Sequence, residues 1–510
     1  LTNKRGPVKT LSPEWNEAMQ TAFATAAKLD MDIGVFNAPG WGMSGGPWLK
    51  NEESMRRFVS SFVAVNGPAK GVVLPKPKYE CVSSKEYRDL FAIAYPVGAD
   101  FDKRLEKRRE KDELTSKTGA PIVVELESDG DFRAQSAEAI LKGGIIAGRL
   151  IVEVPDGDAW RKVCDTEFSR VNYGVGVGFS PRAPIVASFA PVVARKFRVT
   201  VKPTHTDIKK DGRDAPSFMS IAVCAAPLVE QSFEKSFAKM FESPLPMWTY
   251  YKWPQEKDCA DGTALDPAKA VVLHGKIAED GTLDWNVPEG RWAIYRFGTA
   301  PTGTKNGPAY DDASGWEVDK MSREHVMKHF DSYLGRLLDE TPDENRKVIR
   351  HAILDSYEVG GQNFTDGFAE KFKASFGYDP TPYLPTLFGV AVGNRADSDR
   401  FLWDLRRFVA DEVAYSFVGG LRKASNAHGL ETWLENYGHW GFPGEFLQYG
   451  GQSDEVSGEY WSEGDLGNIE NRAASSCAHI YGKRLVWAES NTAGFKHSQR
   501  GPMDMKQRTD

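Results

Sequence analysis

The chain has 510 residues, enough for roughly two to four domains and a large buried core. Its 64 lysines and arginines against 71 aspartates and glutamates give a formal net charge of −7, which argues against a nucleic-acid-binding surface. The hydrophobic share of 41% is typical of a globular protein, and no apolar run approaches the roughly 18 residues of a membrane-spanning helix.

The first predicted elements alternate between helix and strand. Ser12 is suited to cap a helix over 12–28, and a short buried strand over 31–36 follows it. The strand leads into a loop rich in glycine and tryptophan, after which the sequence predicts a second helix over 52–62. This alternation is typical of an α/β fold with a parallel sheet.

A change of pattern follows, because the segments between about 79 and 300 favour short strands. The predicted strands are 121–126, 149–154, 185–189, 197–201, 220–224 and 285–296. Short strands at irregular spacing, separated by glycine, proline and aspartate turns, indicate a β-sandwich-like domain. The run 102–113 contains charges of both signs and is expected to form a solvated helix or loop.

From Ser322 onward the alternation of helix and strand returns. Predicted helices begin at Ser322 and Thr365 and cover 398–423 and 472–481; predicted strands cover 348–354, 430–434 and 485–488. We therefore predict the α/β class: a (β/α)8 TIM-like barrel interrupted by an inserted β-sandwich-like domain. Its parts are 1–78 (first part of the barrel), 79–300 (inserted β-rich domain) and 301–510 (second part of the barrel, with the catalytic acids).

Carboxylates follow three of the predicted strands: Asp355 with Glu358, then Glu435, then Glu489. In a (β/α)8 barrel the carboxyl ends of the strands meet at one face, so these side chains are expected to lie together. Most glycoside hydrolases use a pair of carboxyl groups for catalysis, one as the general acid and the other as the base or nucleophile. Any one of them alone would fit a solvated loop residue equally well.

Six motifs stand in one order along the chain. They cover residues 40–48 (GWGMSGGPW), 315–322 (GWEVDKMS), 355–358 with 362–363 (DSYE, QN), 435–438 (ENYG), 458–461 (GEYW), and 478–482 with 488–490 (AHIYG, AES). Together they resemble the α-L-rhamnosidases of glycoside hydrolase family 106. The resemblance implies removal of terminal α-linked L-rhamnose from polysaccharides or glycosides, by an inverting mechanism assisted by calcium, in the periplasm or outside the cell.

The same resemblance assigns individual residues. Glu358 matches the general acid, Glu489 the general base and Asp355 a further acid of the active site. Glu435, Glu459 and Asp355 are candidate calcium ligands, since calcium prefers oxygen ligands.

Aromatic residues beside these motifs are candidates for binding the sugar. They are Trp41, Trp48, Tyr437 and Trp461. Packing inside the barrel would explain one of the first two equally well. Glu317 and Asp319 either reach the rim of the site or form a salt-bridged pair.

The chain also departs from the family. Asn491 stands where an aromatic residue is common, and Phe364 where tryptophan is usual, which puts the shape of the sugar subsites in question. Family members normally have a further strand and helix before the first residue and further strands after the last. We therefore expect a fragment whose barrel is incomplete at both ends.

Two other functions fit the same residues. One is a different TIM-barrel glycosidase, of the retaining type, and the other is a non-catalytic carbohydrate-binding protein on the same fold. The presence of both acids argues against the second. The sequence predicts neither the natural substrate nor the oligomeric state.

Overall fold

The computed structural model describes residues 6, 8–40, 43–79, 86–111, 113–171, 182–209, 212, 214–237, 257–436, 442–462, 470–493 and 501–509. These residues form a mixed α/β fold rich in strands. The described strands are β1 (Ile33–Phe36), β2 (Gly45–Gly46), β3 (Arg56–Ala69), β4 (Arg88–Val97), β5 (Arg104–Arg108), β6 (Ile122–Gly143), β7 (Ile146–Asp156), β8 (Ala159–Arg170), β9 (Ile185–Thr206), β10 (Ser217–Cys224), β11 (Val271–His274), β12 (Val287–Pro301), β13 (Trp316–Glu317), β14 (Ile349–Leu354), β15 (Glu431–Glu435), β16 (Glu455–Trp461) and β17 (Val486–Thr492).

The helices of the described ranges are α1 (Pro13–Leu29), α2 (Ser232–Lys235), α3 (Arg323–Phe330), α4 (Arg336–Asp339), α5 (Asp343–Arg346), α6 (Phe368–Phe376), α7 (Arg395–Glu412), α8 (Gly419–Ala427), α9 (Phe446–Gly451), α10 (Glu470–Tyr481) and α11 (Pro502–Thr509). Two π-helical stretches, Asp331–Gly335 and Val413–Val418, join α3 to α4 and α7 to α8. None of these helices combines the length and the apolar character needed to cross a membrane.

Several predicted elements are confirmed. Helix α1 begins after Ser12, whose hydroxyl accepts a hydrogen bond from the Trp15 amide at 3.2 Å. Helix α6 ends at Gly377, which has the left-handed backbone of a helix C-cap, although its first residue follows Gly367 rather than Thr365. Local capping chemistry therefore predicts helix ends well in this chain.

A five-stranded parallel sheet, in the order β1-β14-β15-β16-β17, carries the strands that the carboxylates follow. Two strands separate β14 from β17, so in a flat sheet these two would lie about 14 Å apart. Yet carboxylate oxygens of Asp355, after β14, and Glu489, in β17, lie within 4.8 Å of each other. The sheet is therefore curled, and we call the face on which these side chains meet the concave face.

The predicted α/β class with a parallel sheet is confirmed, but a closed eight-stranded barrel is not. Within the described residues the sheet has five strands and keeps β1 and β17 as open edges. Side chains on β14 alternate as expected for such a sheet: Ala352 and Leu354 are buried against the helices, whereas His351 and Ile353 are half-buried on the concave face.

The strands of the predicted insert form antiparallel sheets. One has six strands in the order β5-β10-β6-β9-β7-β8. Its buried side chains contact one another, and the long strands β6 and β9 carry register shifts that let them bend around this core. Because this sheet buries its own inner face, the expected sandwich of two sheets is not confirmed.

A four-stranded sheet in the order β11-β4-β12-β3 links the antiparallel region to the helices. On β12, Tyr295 and Phe297 belong to the main core shared with the helices, whereas Trp292 and Ile294 belong to a smaller core on the other side. The sheet thus braces the helical layer around the parallel strands.

The prediction of a helix over 52–62 is wrong, because this segment forms a 3₁₀ turn and then β3. Strand β3 pairs with β12 from Arg56 opposite Pro301 to Ala69 opposite Val287. This long-range pairing overrides the local helical pattern, which sequence spacing alone does not reveal. Antiparallel pairing thus begins at Arg56, while the domain boundary at residue 78 stays a prediction.

Two further segments differ from expectation. The charged run 102–113 contains β5, an edge strand whose Arg104 forms an ion pair with Glu138 on β6 of the same six-stranded sheet. Strand β16 was not predicted at all, because Gly458 interrupts its β-forming residues.

Gly458 is required for the packing of α10 on β16. A Cβ atom at this position would lie 3.0 Å from the Asn471 Cα and 2.6 Å from its side-chain oxygen. We expect Gly458→Ala to lower the free energy of unfolding by about 1–3 kcal/mol through overpacking. Urea denaturation followed by near-ultraviolet circular dichroism measures it.

Gly98→Ala is the matched control, since a Cβ atom there meets nothing within 4 Å. We expect its effect to stay within about 0.5 kcal/mol. Equal stability of the two variants would contradict the packing role assigned to Gly458.

Candidate active site

Five carboxylates lie toward the carboxyl ends of four neighbouring parallel strands. Asp355 and Glu358 follow β14, Glu435 ends β15, and Glu459 and Glu489 lie directly opposite each other on β16 and β17. Strand order and register therefore bring together residues that are far apart in the sequence, as the barrel-like arrangement of predicted strands indicated.

Three of these carboxylates form a tight cluster. Oxygen atoms of Asp355, Glu435 and Glu489 all lie within 4.8 Å of one another. Glu435 is only 1% exposed, and its Oε1 is buried without a hydrogen-bond partner. Burial, followed by the adjacent Asp355 carboxyl, raises the pKa of Glu435 far above its ordinary value.

Glu358 is half-buried beside this cluster. Burial raises the pKa of Glu358 to about 7, and the negative charges of Asp355 and Glu489 contribute to this shift to a lesser extent. A carboxyl group with this pKa still carries its proton near neutral pH, which suits a general acid.

Glu459 lies between the cluster and an aromatic side chain. Burial and then the Glu489 carboxylate raise the pKa of Glu459 to about 7, while a hydrogen bond donated by the Trp461 indole opposes the shift. Trp461, predicted to bind the sugar, is thus held next to the acids by this hydrogen bond.

Glu489 is the most exposed of the five carboxylates, and its Oε1 accepts a hydrogen bond from Thr492 at 2.8 Å. The intervening Asn491 has a φ of 59° and makes the strand register shift between Tyr460 and Trp461. Asparagine tolerates this left-handed backbone better than aromatic residues do. The departure from the family at position 491 thus coincides with a bulge two residues after Glu489.

The cluster has the chemistry of a cation site. Three convergent carboxylates, one with an unpartnered buried oxygen, suit a hard cation with oxygen ligands such as calcium. Of the expected ligands, Asp355 and Glu435 are in the cluster. The third carboxylate within the same distance is that of Glu489, and Glu459 lies beside it rather than among the three.

The remaining predicted sugar-binding residues are less informative. Trp41 and Tyr437 lie outside the described residues. The Trp48 indole donates a hydrogen bond to His329 Nδ1 at 3.1 Å and stacks on Tyr333 with ring centroids 5.4 Å apart. These contacts are those of a packing residue, and a role of Trp48 in sugar binding stays a prediction.

A second polar group lies at the other end of the concave face. His351 Nε2 is 3.2 Å from a carboxylate oxygen of Glu455 and 3.8 Å from one of Glu431, and the Trp487 indole donates to Glu455. This group is not predictable from the sequence, because its members come to lie at the same level of the sheet only through the strand register.

Glu317 and Asp319 are fully buried and do not reach the rim of the site. Glu317 forms an ion pair with Lys320, and Asp319 forms one with Arg56. Of the two expected arrangements, salt bridging is therefore the one present.

Comparison with known proteins identifies one family and two similar proteins. The sequence profile of the alpha-L-rhamnosidases of glycoside hydrolase family 106 matches residues 2–510. A solved rhamnosidase from Novosphingobium sp. PP1Y is 25% identical with a TM-score of 0.79, covering 99% of this chain and 49% of that one. A curated Formosa agariphila protein, provisionally named beta-glucuronidase, is 36% identical over 251 residues, 48% of this chain and 21% of that protein. The chain thus spans about half or less of each relative's length.

The raised pKa of Glu459 predicts a pH-dependent stability. In the unfolded chain the carboxyl ionises near its ordinary pKa of 4.5, whereas in the folded protein it keeps its proton up to about pH 7. The folded state binds the extra proton between these values, so stability should fall as pH rises from about 4.5 to about 7. We expect Glu459→Gln to flatten this fall in thermal midpoints measured with a chelator present.

Glu324→Gln, a change of an exposed glutamate on α3, is the control and should keep the wild-type pH dependence. If Glu459→Gln keeps the same slope, the pKa of Glu459 is not raised by its surroundings.

Proposed function

The chain belongs to the alpha-L-rhamnosidase family, glycoside hydrolase family 106, and we propose that it removes terminal α-linked L-rhamnose from glycans or glycosides. The placement of five carboxylates toward the ends of neighbouring parallel strands, where burial raises the pKa of Glu358 to about 7, is what supports this most. It gives an acid that carries a proton near neutral pH close to a second carboxylate, Glu489, and glycoside hydrolysis requires such a pair.

In the proposed inverting reaction, Glu358 donates its proton to the glycosidic oxygen as the bond from that oxygen to the anomeric carbon breaks. Glu489 takes a proton from a water molecule whose oxygen bonds to the anomeric carbon from the opposite face. Asp355, close to Glu358, helps to keep the proton on the acid before reaction. Exchange with solvent then returns Glu358 to its protonated form and Glu489 to its ionised form.

Calcium is the proposed cation of the site. Asp355 and Glu435 would hold it, with Glu489 or Glu459 as the third carboxylate. When bound, the ion supplies positive charge that offsets the repulsion between the carboxylates and a binding point for sugar hydroxyls. The buried, unpartnered Oε1 of Glu435 supports this assignment.

Activity on an aryl α-L-rhamnoside tests the proposal. The protein, with any flanking natural sequence retained, should release L-rhamnose, and a chelator should reduce the rate. We expect Glu358→Gln and Glu489→Gln each to lower kcat by about 10²–10⁴-fold, the usual contribution of a general acid or base. Reducing-sugar release in initial-rate assays measures this.

Glu431→Gln, on the same sheet but at its amino end, is the matched control and should retain activity. An aryl β-D-glucuronide, suggested by the name of the Formosa relative, is the competing substrate. Cleavage of the glucuronide without cleavage of the rhamnoside would overturn the substrate assignment. Binding of rhamnose with no cleavage of either would favour a carbohydrate-binding protein.

The configuration of the first-formed sugar distinguishes the proposed mechanism from the retaining alternative. Inversion predicts that β-L-rhamnose accumulates first and that the α anomer appears only by mutarotation. Proton NMR of the anomeric signals during the first minutes of reaction checks this. Initial accumulation of the α anomer would instead assign Glu489 or another carboxylate as a nucleophile.

A further inference from the structure

The segment 315–322 places charged residues beneath the loop that carries Glu358. Glu317 and Lys320 are both 0% exposed and form an ion pair, with Nζ 2.7 Å from Oε2. Burying such a pair rarely stabilises a fold more than apolar residues of similar size would. A fully buried pair next to a candidate catalytic loop therefore points to a role other than stability.

The Lys320 ammonium group faces two aromatic rings. Its Nζ lies 4.8 Å from the centre of the Phe417 ring and 5.7 Å from that of Tyr357. Both distances fall within the range of cation–π attraction, which is stronger where water is excluded. Tyr357 is fully buried and directly precedes Glu358 in the chain. The ammonium group therefore faces the residue next to the candidate acid.

The other end of the loop is bound to the same segment. The Lys320 amide donates to Gln362 Oε1 at 3.0 Å, and Gln362 Nε2 donates to Asp319 Oδ1 at 2.7 Å. Within the loop, the Tyr357 hydroxyl donates to the Gly360 carbonyl at 2.7 Å. The residues from Tyr357 to Gln362 are thus fixed at both ends by Asp319 and Lys320.

Glu317 extends this support to a second loop. Its carboxylate accepts a hydrogen bond from the Ser44 amide at 3.1 Å, in the glycine-rich loop that follows β1. Replacing Lys320 would leave this buried carboxylate without its cation, so the two residues have to be changed together in a test of the pair.

We propose that Lys320, held in place by Glu317, is a positioning residue for Glu358: its contact with Tyr357 aims the acid at the leaving-group oxygen. This inference depends on the proposed function, in which Glu358 is the general acid. A positioned acid matters most when the leaving group is a poor one, because an activated aryl oxygen departs with little protonation.

The double variant Glu317→Gln/Lys320→Met removes both charges and keeps the side-chain volumes similar. We expect kcat on an alkyl α-L-rhamnoside to fall about tenfold to a hundredfold, as for an ångström-scale misplacement of a catalytic group. On the 2,4-dinitrophenyl rhamnoside the fall should stay below about threefold, since little proton donation is needed. Glu358→Gln should show the same selectivity with a larger amplitude.

Ile221→Ala, in the core of the six-stranded sheet, is the control for general destabilisation. It should lower the thermal midpoint while leaving the ratio of alkyl to aryl rates unchanged. If this double variant does not fold, Glu317→Gln/Lys320→Gln, which replaces the ion pair by two neutral side chains able to hydrogen-bond, is measured in its place with the same expected change of ratio.

An unchanged ratio in the folded variant, beside a changed ratio in Glu358→Gln, would overturn the positioning role and leave the proposed function intact. If Glu358→Gln itself shows no dependence on the leaving group, the assignment of the acid fails, and the positioning role fails with it.

Discussion

Repulsion between carboxylates gathered on the concave face is the constraint on which the candidate site depends. The curled sheet brings Asp355, Glu435 and Glu489 so close that they cannot all be ionised without a cation or a shared proton. Glu358 keeps its proton near neutral pH mainly because it is buried, and the charges of Asp355 and Glu489 add to this effect. The same arrangement is therefore compatible both with the proposed role of Glu358 as proton donor and with the proposed binding of a cation.

Carboxylates held this close together repel one another, so the strands that carry them have to be held in place by packing. The strands that carry the acids are backed by helices on their buried side, and the four-stranded antiparallel sheet shares the core of those helices through β12. The buried polar contacts of segment 315–322 then fix the loop that carries Glu358. Apolar packing thus positions the sheet, whereas buried polar contacts position the loop that carries Glu358.

Much of the site, but less of the fold, could be predicted from the sequence. Helix caps such as Ser12 act locally, and the acids follow strands recognisable by composition, so both were predictable. The strand at 56–69 was not, because its conformation is decided by pairing with a segment more than 200 residues later. Glu489 was predicted to lie near the other acids, but its place in the cluster in the position expected for Glu459 depends on the curvature of the sheet, which no local pattern encodes.

The order in which the parallel sheet is connected has a consequence for synthesis on the ribosome. Strand β1 pairs with β14, with Phe36 opposite Ile353. This pairing can form only after the residues of the intervening antiparallel sheets have been synthesised. The six-stranded sheet has its own core and can fold first, whereas among the described strands β1 pairs only with β14. Late, non-local pairing of this kind is slow. Among the described residues, completion of the parallel sheet thus depends on a strand made about 300 residues after β1, so the antiparallel region can form first.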